Sequence, residues 1–376
     1  LTEVPTMVES SILAYRVWLL DNADNEIFKT VDTEIEVNVE LSNLYDKSLA
    51  SGWNWFSLNK SADDMSLNTI LSSLIISGTE GDYIKNQSLY ASYYAEYDTW
   101  YGTLEDLDNL SLFKINVGNS GNIAFEGADV DLSTSIPVST GWNWISYLPQ
   151  DEMDINLALA SVDELGNYIK SQTGIANYYS GYGWYGSLEQ LQPLDGYMLE
   201  AIGDGTLIYP EPEAFSSGDE QESHRNATYD KWNLNYREFE HNASATIALE
   251  LENNFAKEND QIGAFYGDQC RGIAYGMICP INDKLVFHMM FYGDDEANEL
   301  TFKYYDTYTG ETIDLINTIN FSPDIHLNDA LEPFIMTDIL PLTYSLSDAY
   351  PNPFNPATTI DYSVADDVNS LKIKIF

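Results

Sequence analysis

The chain is predicted to be a mainly β, multidomain protein built from β-sandwich domains and two tandem small α/β repeat modules. Three observations predict this. Apolar and polar residues alternate with period two in stretches of residues 1–50, 226–340 and 359–376, the signature of half-buried strands. A block of about eighty residues occurs twice. A Pro-, Ser-, Gly- and acid-rich stretch then separates the duplicated block from a further β-patterned region. A length of 376 residues accommodates two to four ordinary domains, and an apolar fraction of 44% is enough to fill their cores.

Residues 1–50 read as strands alone. Leu13, Tyr15, Val17 and Leu19 alternate, Asp21 to Glu26 makes a polar turn, and Ile35, Val37, Val39 and Leu41 alternate again. So few strands rarely stand alone, so the segment is expected to complete a sandwich or continue a domain that lies upstream. Asp21-Asn22-Ala23-Asp24-Asn25-Glu26 resembles a calcium loop only superficially, because it lacks the glycine and ligand spacing of an EF-hand.

The duplication covers a first module at 51–138 and a second at 139–210. Gly52-Trp53-Asn54-Trp55-Phe56-Ser57 returns as Gly141-Trp142-Asn143-Trp144-Ile145-Ser146. Tyr83-Ile84-Lys85 returns as Tyr168-Ile169-Lys170, and Trp100-Tyr101-Gly102 as Trp184-Tyr185-Gly186. In each copy the two tryptophans fall on one face of a strand, and that face is expected to be core. One short helix follows, carrying Met65, Leu67, Ile70, Leu71 and Leu74, or Ile155, Leu157, Leu159 and Val162. Asp64 or Asp154 is placed to cap it. A Tyr-Ile-Lys strand, a tyrosine-rich hairpin and two closing strands complete each module.

The hairpins supply the candidate contact surface: Tyr93, Tyr94, Trp100 and Tyr101 in the first copy, and Tyr178, Tyr179, Trp184 and Tyr185 in the second. Aromatic rings join a large apolar area to a polar edge, which suits core packing, a protein partner or a sugar platform. All three readings stand at this stage. These Gly-Trp-Asn modules resemble a small α/β unit found on secreted bacterial proteins, a resemblance that implies no catalytic role.

Residues 211–225 read as the linker, and 226–340 as a β-sandwich, with Ile247, Leu249 and Leu251, then Leu285, Phe287 and Met289, then Leu300, Phe302 and Tyr304 alternating. Ile262-Gly263-Ala264-Phe265 followed by Cys270-Arg271-Gly272, with Phe302 to Asp306 as a later strand, resembles a recurrent surface-protein β-sandwich. Cys270 and Cys279 are the chain's only cysteines. In an oxidising exterior they would close a loop of about ten residues, worth on the order of 3 kcal/mol; the alternative is two free buried thiols.

Residues 341–376 carry Tyr350-Pro351-Asn352-Pro353-Phe354-Asn355-Pro356 and then Thr359-Ile360. Three prolines in six residues forbid a helix and impose an extended entry. Thr359 to Val364 and Leu371 to Phe376 then alternate as a hairpin. The string from Leu346 to Phe376 resembles the start of the C-terminal sorting domain of the type IX secretion system, which implies export to the bacterial cell surface or beyond. Such domains continue for several more strands, so Leu371, Ile373 and Ile375 are expected to form a strand-pairing edge that is covered in an assembly. The absence of an initiator Met and of a basic, apolar leader fits a mature or excised segment.

Composition bounds the function. Sixteen basic residues against sixty acidic ones give a net charge of −44, which excludes ordinary nucleic-acid binding, since that depends on Lys and Arg neutralising phosphates. Divalent cations, calcium among them, are conceivable counter-ions; no other cofactor or metal site is indicated. No apolar run reaches the eighteen residues of a membrane span. His224, His241, His288 and His326 form no metal pair, and no nucleophile elbow, P-loop or dinucleotide motif occurs. The sequons at Asn86, Asn109, Asn226 and Asn242 are chance occurrences in an Asn- and Ser-rich chain. The expectation is a non-catalytic extracellular or cell-surface structural or adhesive protein, of the kind that builds a filament or sheath, that associates with itself or other surface proteins. A glycan-binding accessory region of a secreted hydrolase and a calcium-dependent adhesin are the alternatives.

Overall fold

The computed structural model describes residues 43–75, 77–211, 230–252, 255–294 and 299–338, the backbone of four strands between 11 and 37, and short pieces at 345–347, 349–350, 358–363 and 372. The N-terminal strands pair antiparallel, Ser11–Tyr15 with Thr33–Val37 and Trp18–Leu20 with Glu26–Lys29. Residues 212–229, which include nearly all of the predicted linker, lie outside the described residues, as do 351–357 of the proline motif and the strand-edge candidates Leu371, Ile373 and Ile375. Of residues 341–376, the structure gives short pairings of Ser345–Leu346 with Tyr362–Ser363 and of Tyr350 with Thr359.

The protein is mainly β, and the two modules have the same strand order. In the first the five-stranded sheet runs Thr99–Gly102, Tyr90–Tyr94, Tyr83–Lys85, Phe113–Val117, Gly52–Phe56. In the second it runs Gly183–Gly186, Ile175–Tyr179, Gly166–Lys170, Gly196–Ala201, Gly141–Ser146. Each Gly-Trp-Asn-Trp strand is therefore a sheet edge. Both begin at a glycine in the left-handed region, φ +95° at Gly52 and +96° at Gly141, where a Cβ is strained. The asparagine of each then folds back on that turn: Asn54 Nδ2 donates to Ala50 O and Gly52 O, and Asn143 Nδ2 to Ser139 O and Gly141 O.

One face of each sheet is closed by a helical turn. Leu67–Ile70 continues into the 3-10 turn Ser72–Leu74, and Ile155–Ala158 into Ala160–Val162. Asp154 is the N-cap, accepting from the amides of Asn156 and Leu157. Asp64 instead sits two residues before the N-cap Ser66 and braces it through Ser66 N and Thr69 Oγ1. Beneath the turns lie Phe56, Ile84, Ala91 and Ile115 in one module and Ile145, Ile169, Ala176 and Leu199 in the other.

The module boundaries differ from the sequence reading. Leu44–Leu49 pairs with Gly121–Glu126 and puts Tyr45 and Leu49 into the first core. Ile136–Val138, assigned above to the first module, pairs with Gly205–Leu207 and belongs to the second core. These strands occupy equivalent places, and each lies just ahead of the repeated signature, where sequence similarity has already faded.

Residues 230–338 form one sheet of eight strands folded over on itself in sandwich-like fashion. The long strand Gln269–Cys279 carries it from one layer to the other, pairing through residues 269–275 with Gln261–Tyr266 and through 276–279 with Lys284–Gly293. Ala243, Ala245, Ile247, Ile262, Phe287, Met289, Phe302 and Tyr304 fill the space between the layers.

That strand also overturns the disulfide. Cys270 and Cys279 are free and buried, at opposite ends of one extended segment. Nine residues of strand span about 30 Å, whereas a bridge needs Cα atoms within about 7 Å. The expected loop between them does not turn.

Candidate interaction surface

The outer face of each module sheet, opposite the helical turn, is where the units meet. The tryptophans of the signature lie here and not in the module core as expected. Trp53 and Trp55 are buried, Trp142 and Trp144 half-buried; Trp55, Trp144, Leu112 and Met198 pack together between the modules.

The intermodule joint is reciprocal. Gln172 Nε2 donates to Trp53 O (2.8 Å) while its Oε1 accepts from Trp55 N (3.2 Å). Gln87, at the equivalent position of the other copy, does the same to Trp142 O (2.8 Å) and Trp144 N (3.0 Å). Likewise Ser57 N donates to Leu194 O and Ser146 N to Leu110 O. Each edge strand thus has free backbone groups satisfied by the other module, which removes the liability of an open edge. The arrangement is an isologous contact made within one chain. At its centre Lys114 Nζ lies 4.0 Å from the Trp55 ring centroid and 4.4 Å from that of Trp144. Burial holds this ammonium well below the ordinary lysine value, while the two indole faces favour its charged form.

The rest of the second module's outer face is covered by the folded sheet. Tyr168, Ile175, Phe239, Met290 and Tyr292 form one apolar cluster, and Tyr179, Cys279, Val286 and Ala330 a second. Several polar groups are paired inside this joint, while His288 Nε2 and Asn177 Nδ2 are buried without a hydrogen-bond partner among the described residues. Tyr168 Oη lies 2.7 Å from Ser244 Oγ, and its ring stacks on His326 at 4.0 Å. Lys170 Nζ reaches Asn242 Oδ1 (2.8 Å) and Asp324 Oδ1 (2.6 Å). Tyr179 Oη accepts from Ala330 N (2.8 Å). Burial holds the imidazoles of His288 and His326 down to about 4, so both are neutral at pH 7. Lys170 is lowered as well, its desolvation outweighing the attraction of Asp324.

The sequence candidates divide accordingly. Tyr93, Trp100 and Trp184 are buried in module cores, and Tyr178 packs against Trp184; they point to the helical side, because each alternates with an outward neighbour, and are removed from the contact surface. Tyr179 and Tyr185 do make a contact, with the folded sheet. Tyr94 and Tyr101, their equivalents in the first module, are 41% and 73% exposed and meet each other edge to face at 6.4 Å. Tyr90 beside them is 50% exposed, stacked on Tyr83 at 5.9 Å. Sequence reading missed Gln87, Gln172, Lys85, Lys114 and Lys170; the recurrence of Lys85 as Lys170 and of Gln87 as Gln172 was the available signal, whereas Lys114, whose counterpart is Met198, had none.

Among the described residues no three His, Cys, Asp or Glu side chains converge to hold a metal ion; Asp21 to Asn25 lie outside the described residues. A polar cleft of about 130 Å³, lined in part by Lys47, Asn54, Gln172, Asp195 and Arg237, sits where the three units meet and is small beside the 300–1,000 Å³ typical of ligand pockets. Arg271 donates to Tyr292 O and Gln269 Oε1 and lies over the Phe239 ring, a structural role. Among the described residues no helix is long and apolar enough to cross a membrane.

Fold and surface together define a mainly β, multidomain protein whose aromatic sheet faces serve as joints. Comparison with protein families, curated proteins and solved structures gave no match for this chain.

Proposed function

We propose that this is a non-catalytic extracellular structural protein, a subunit of a surface assembly such as a filament or sheath, that works by pressing sheet faces together. The observation that carries the reading is the second module's outer face, where Tyr168, Ile175 and Tyr179 are buried against another sheet. Aromatic faces of this module type thus take protein as their partner. The resemblance of residues 346–376 to a type IX sorting domain supports export. Electron microscopy and sedimentation of the purified chain over a range of concentrations and ionic strengths test the proposal. Regular assemblies, or oligomers that grow with concentration, are expected; a monomer under every condition would refute it.

A glycan platform is the second reading, favoured by the exposed rings of Tyr90, Tyr94 and Tyr101. The Tyr94 and Tyr101 rings cross at 67° and offer a sugar no common plane. Glycan-array binding lost in Tyr94→Ala and Tyr101→Ala would favour it; Trp100 and Trp184 are core residues and cannot serve in this test.

A further inference from the structure

We infer that the open outer face of the first module is the contact through which two copies of this chain pair, each presenting Tyr90, Tyr94 and Tyr101 to the other about a twofold axis. The inference rests on the reading of the chain as a self-associating subunit and names the surface.

The duplication shows what this face is for. Tyr83, Lys85, Tyr90, Tyr94 and Tyr101 occupy the positions of Tyr168, Lys170, Ile175, Tyr179 and Tyr185. In the second module the first four of these positions are 1%, 1%, 0% and 6% exposed, closed off by a sheet from residues 230–338. In the first module Tyr83 and Lys85 are half-buried, while Tyr90, Tyr94 and Tyr101 are exposed. This row continues the surface that, at Trp55 and Lys114, already pairs with its own duplicate through reciprocal contacts. This sheet face therefore meets a near-copy of itself once within the chain.

Charge and chemistry select a second copy as the occupant. A chain with sixty carboxylates repels itself, yet the outward positions on the strands of the first sheet hold none, and Glu96 and Asp98 are exposed only in the hairpin turn beside it. Lys85 is neutralised by Glu240. A tyrosine hydroxyl both donates and accepts, and aromatic rings favour edge-to-face contact with one another, so a tyrosine face complements itself as a charged face cannot. The sheet surface that covers the second module is occupied within its own chain and is not free to cover a neighbour's first module.

The area sets the strength. Tyr90, Tyr94 and Tyr101, with Tyr97 at the hairpin tip 68% exposed, present about 450 Å² at roughly 200 Å² per tyrosine. A standard interface takes about 800 Å² from each partner. The pairing is accordingly weak and reversible, and is opposed by the net charge at low salt.

Sedimentation equilibrium of the full chain in 20 mM and 500 mM NaCl tests this, with Tyr94→Ser/Tyr101→Ser compared against Tyr308→Ser, a control at a residue 88% exposed on the sandwich. The wild type is expected to dimerise more tightly at high salt. The double variant should weaken dimerisation tenfold or more with an unchanged monomer melting curve, and the control should match wild type. Self-association indifferent to Tyr94 and Tyr101 would overturn the inference and leave the structural reading standing. A wild type that stays monomeric at both salt concentrations would overturn both.

Discussion

The same substitution at two equivalent positions should have two very different costs. Tyr179 is 6% exposed, packs on Val286 and Cys279, and accepts a hydrogen bond from Ala330 N. Tyr179→Ala removes about 200 Å² of buried side chain, worth up to about 5 kcal/mol at 25 cal/mol per Å² and somewhat less against a compact unfolded chain. It also leaves the Ala330 amide without its acceptor, roughly another 1 kcal/mol. Large-to-small core changes of aromatics cost about 3–5 kcal/mol, and that is the expected range. Tyr94 holds the same place in the first module but is 41% exposed, with Tyr101 as its ring partner; Tyr94→Ala should cost about 1 kcal/mol or less. Urea unfolding at protein concentrations below self-association reads the difference. Hydrogen exchange at the Ala330 amide gives the local value, which matters because a multidomain chain need not unfold in one step. Costs equal to within about 0.5 kcal/mol would refute the claim that one face is a joint and the other is open.

Three further outcomes are expected. Lys114→Met places at this position the residue that its counterpart Met198 already carries; desolvation of the ammonium opposes a cation–π gain of about 2 kcal/mol per indole, and replacing buried charge by apolar volume is commonly neutral or stabilising. Chemical denaturation should therefore show a change between zero and about 2 kcal/mol in favour of the variant, and a loss above about 1 kcal/mol would show that the indole contacts dominate. His288 and His326 have folded-state values near 4, below the ordinary 6.5, so their contribution is complete above pH 6.5 and is lost as pH falls towards 4, up to about 3 kcal/mol each; stability measured from pH 7.5 to 4 should decline across that window, and His288→Gln should flatten the decline. Denatured without reductant and treated with iodoacetamide, the chain should gain two adducts by mass, whereas none would restore the Cys270–Cys279 bridge.

Much of the architecture was legible because it is written locally. Period-two alternation marked the strands of 241–250, 284–293 and 299–305, the Gly-Trp-Asn-Trp repeat located two copies of one unit, and the carboxylate of Asp154 announced a helix start. Each of these depends on residues a few positions apart. The errors arose where the deciding partner is distant in sequence. Alternation places Trp53 and Trp55 on one face, but either face of a sheet can be covered, and here the tryptophan face meets the second module while the aliphatic face meets the helical turn. Cys270 and Cys279 were close in sequence, yet an uninterrupted strand holds them far apart, since only a turn converts sequence proximity into contact.

The division is sharpest in the tyrosine hairpins. Sequence alone determined that both copies carry aromatics at matching positions of the hairpin. Only the tertiary structure decided that Tyr179 is buried and Tyr94 is open. Burial of an outer sheet face is set by which other surface arrives there: residues 230–338 cover Tyr168, Ile175 and Tyr179 of the second copy, but reach the first only at its Trp53 edge and Lys85, through Arg237 and Glu240.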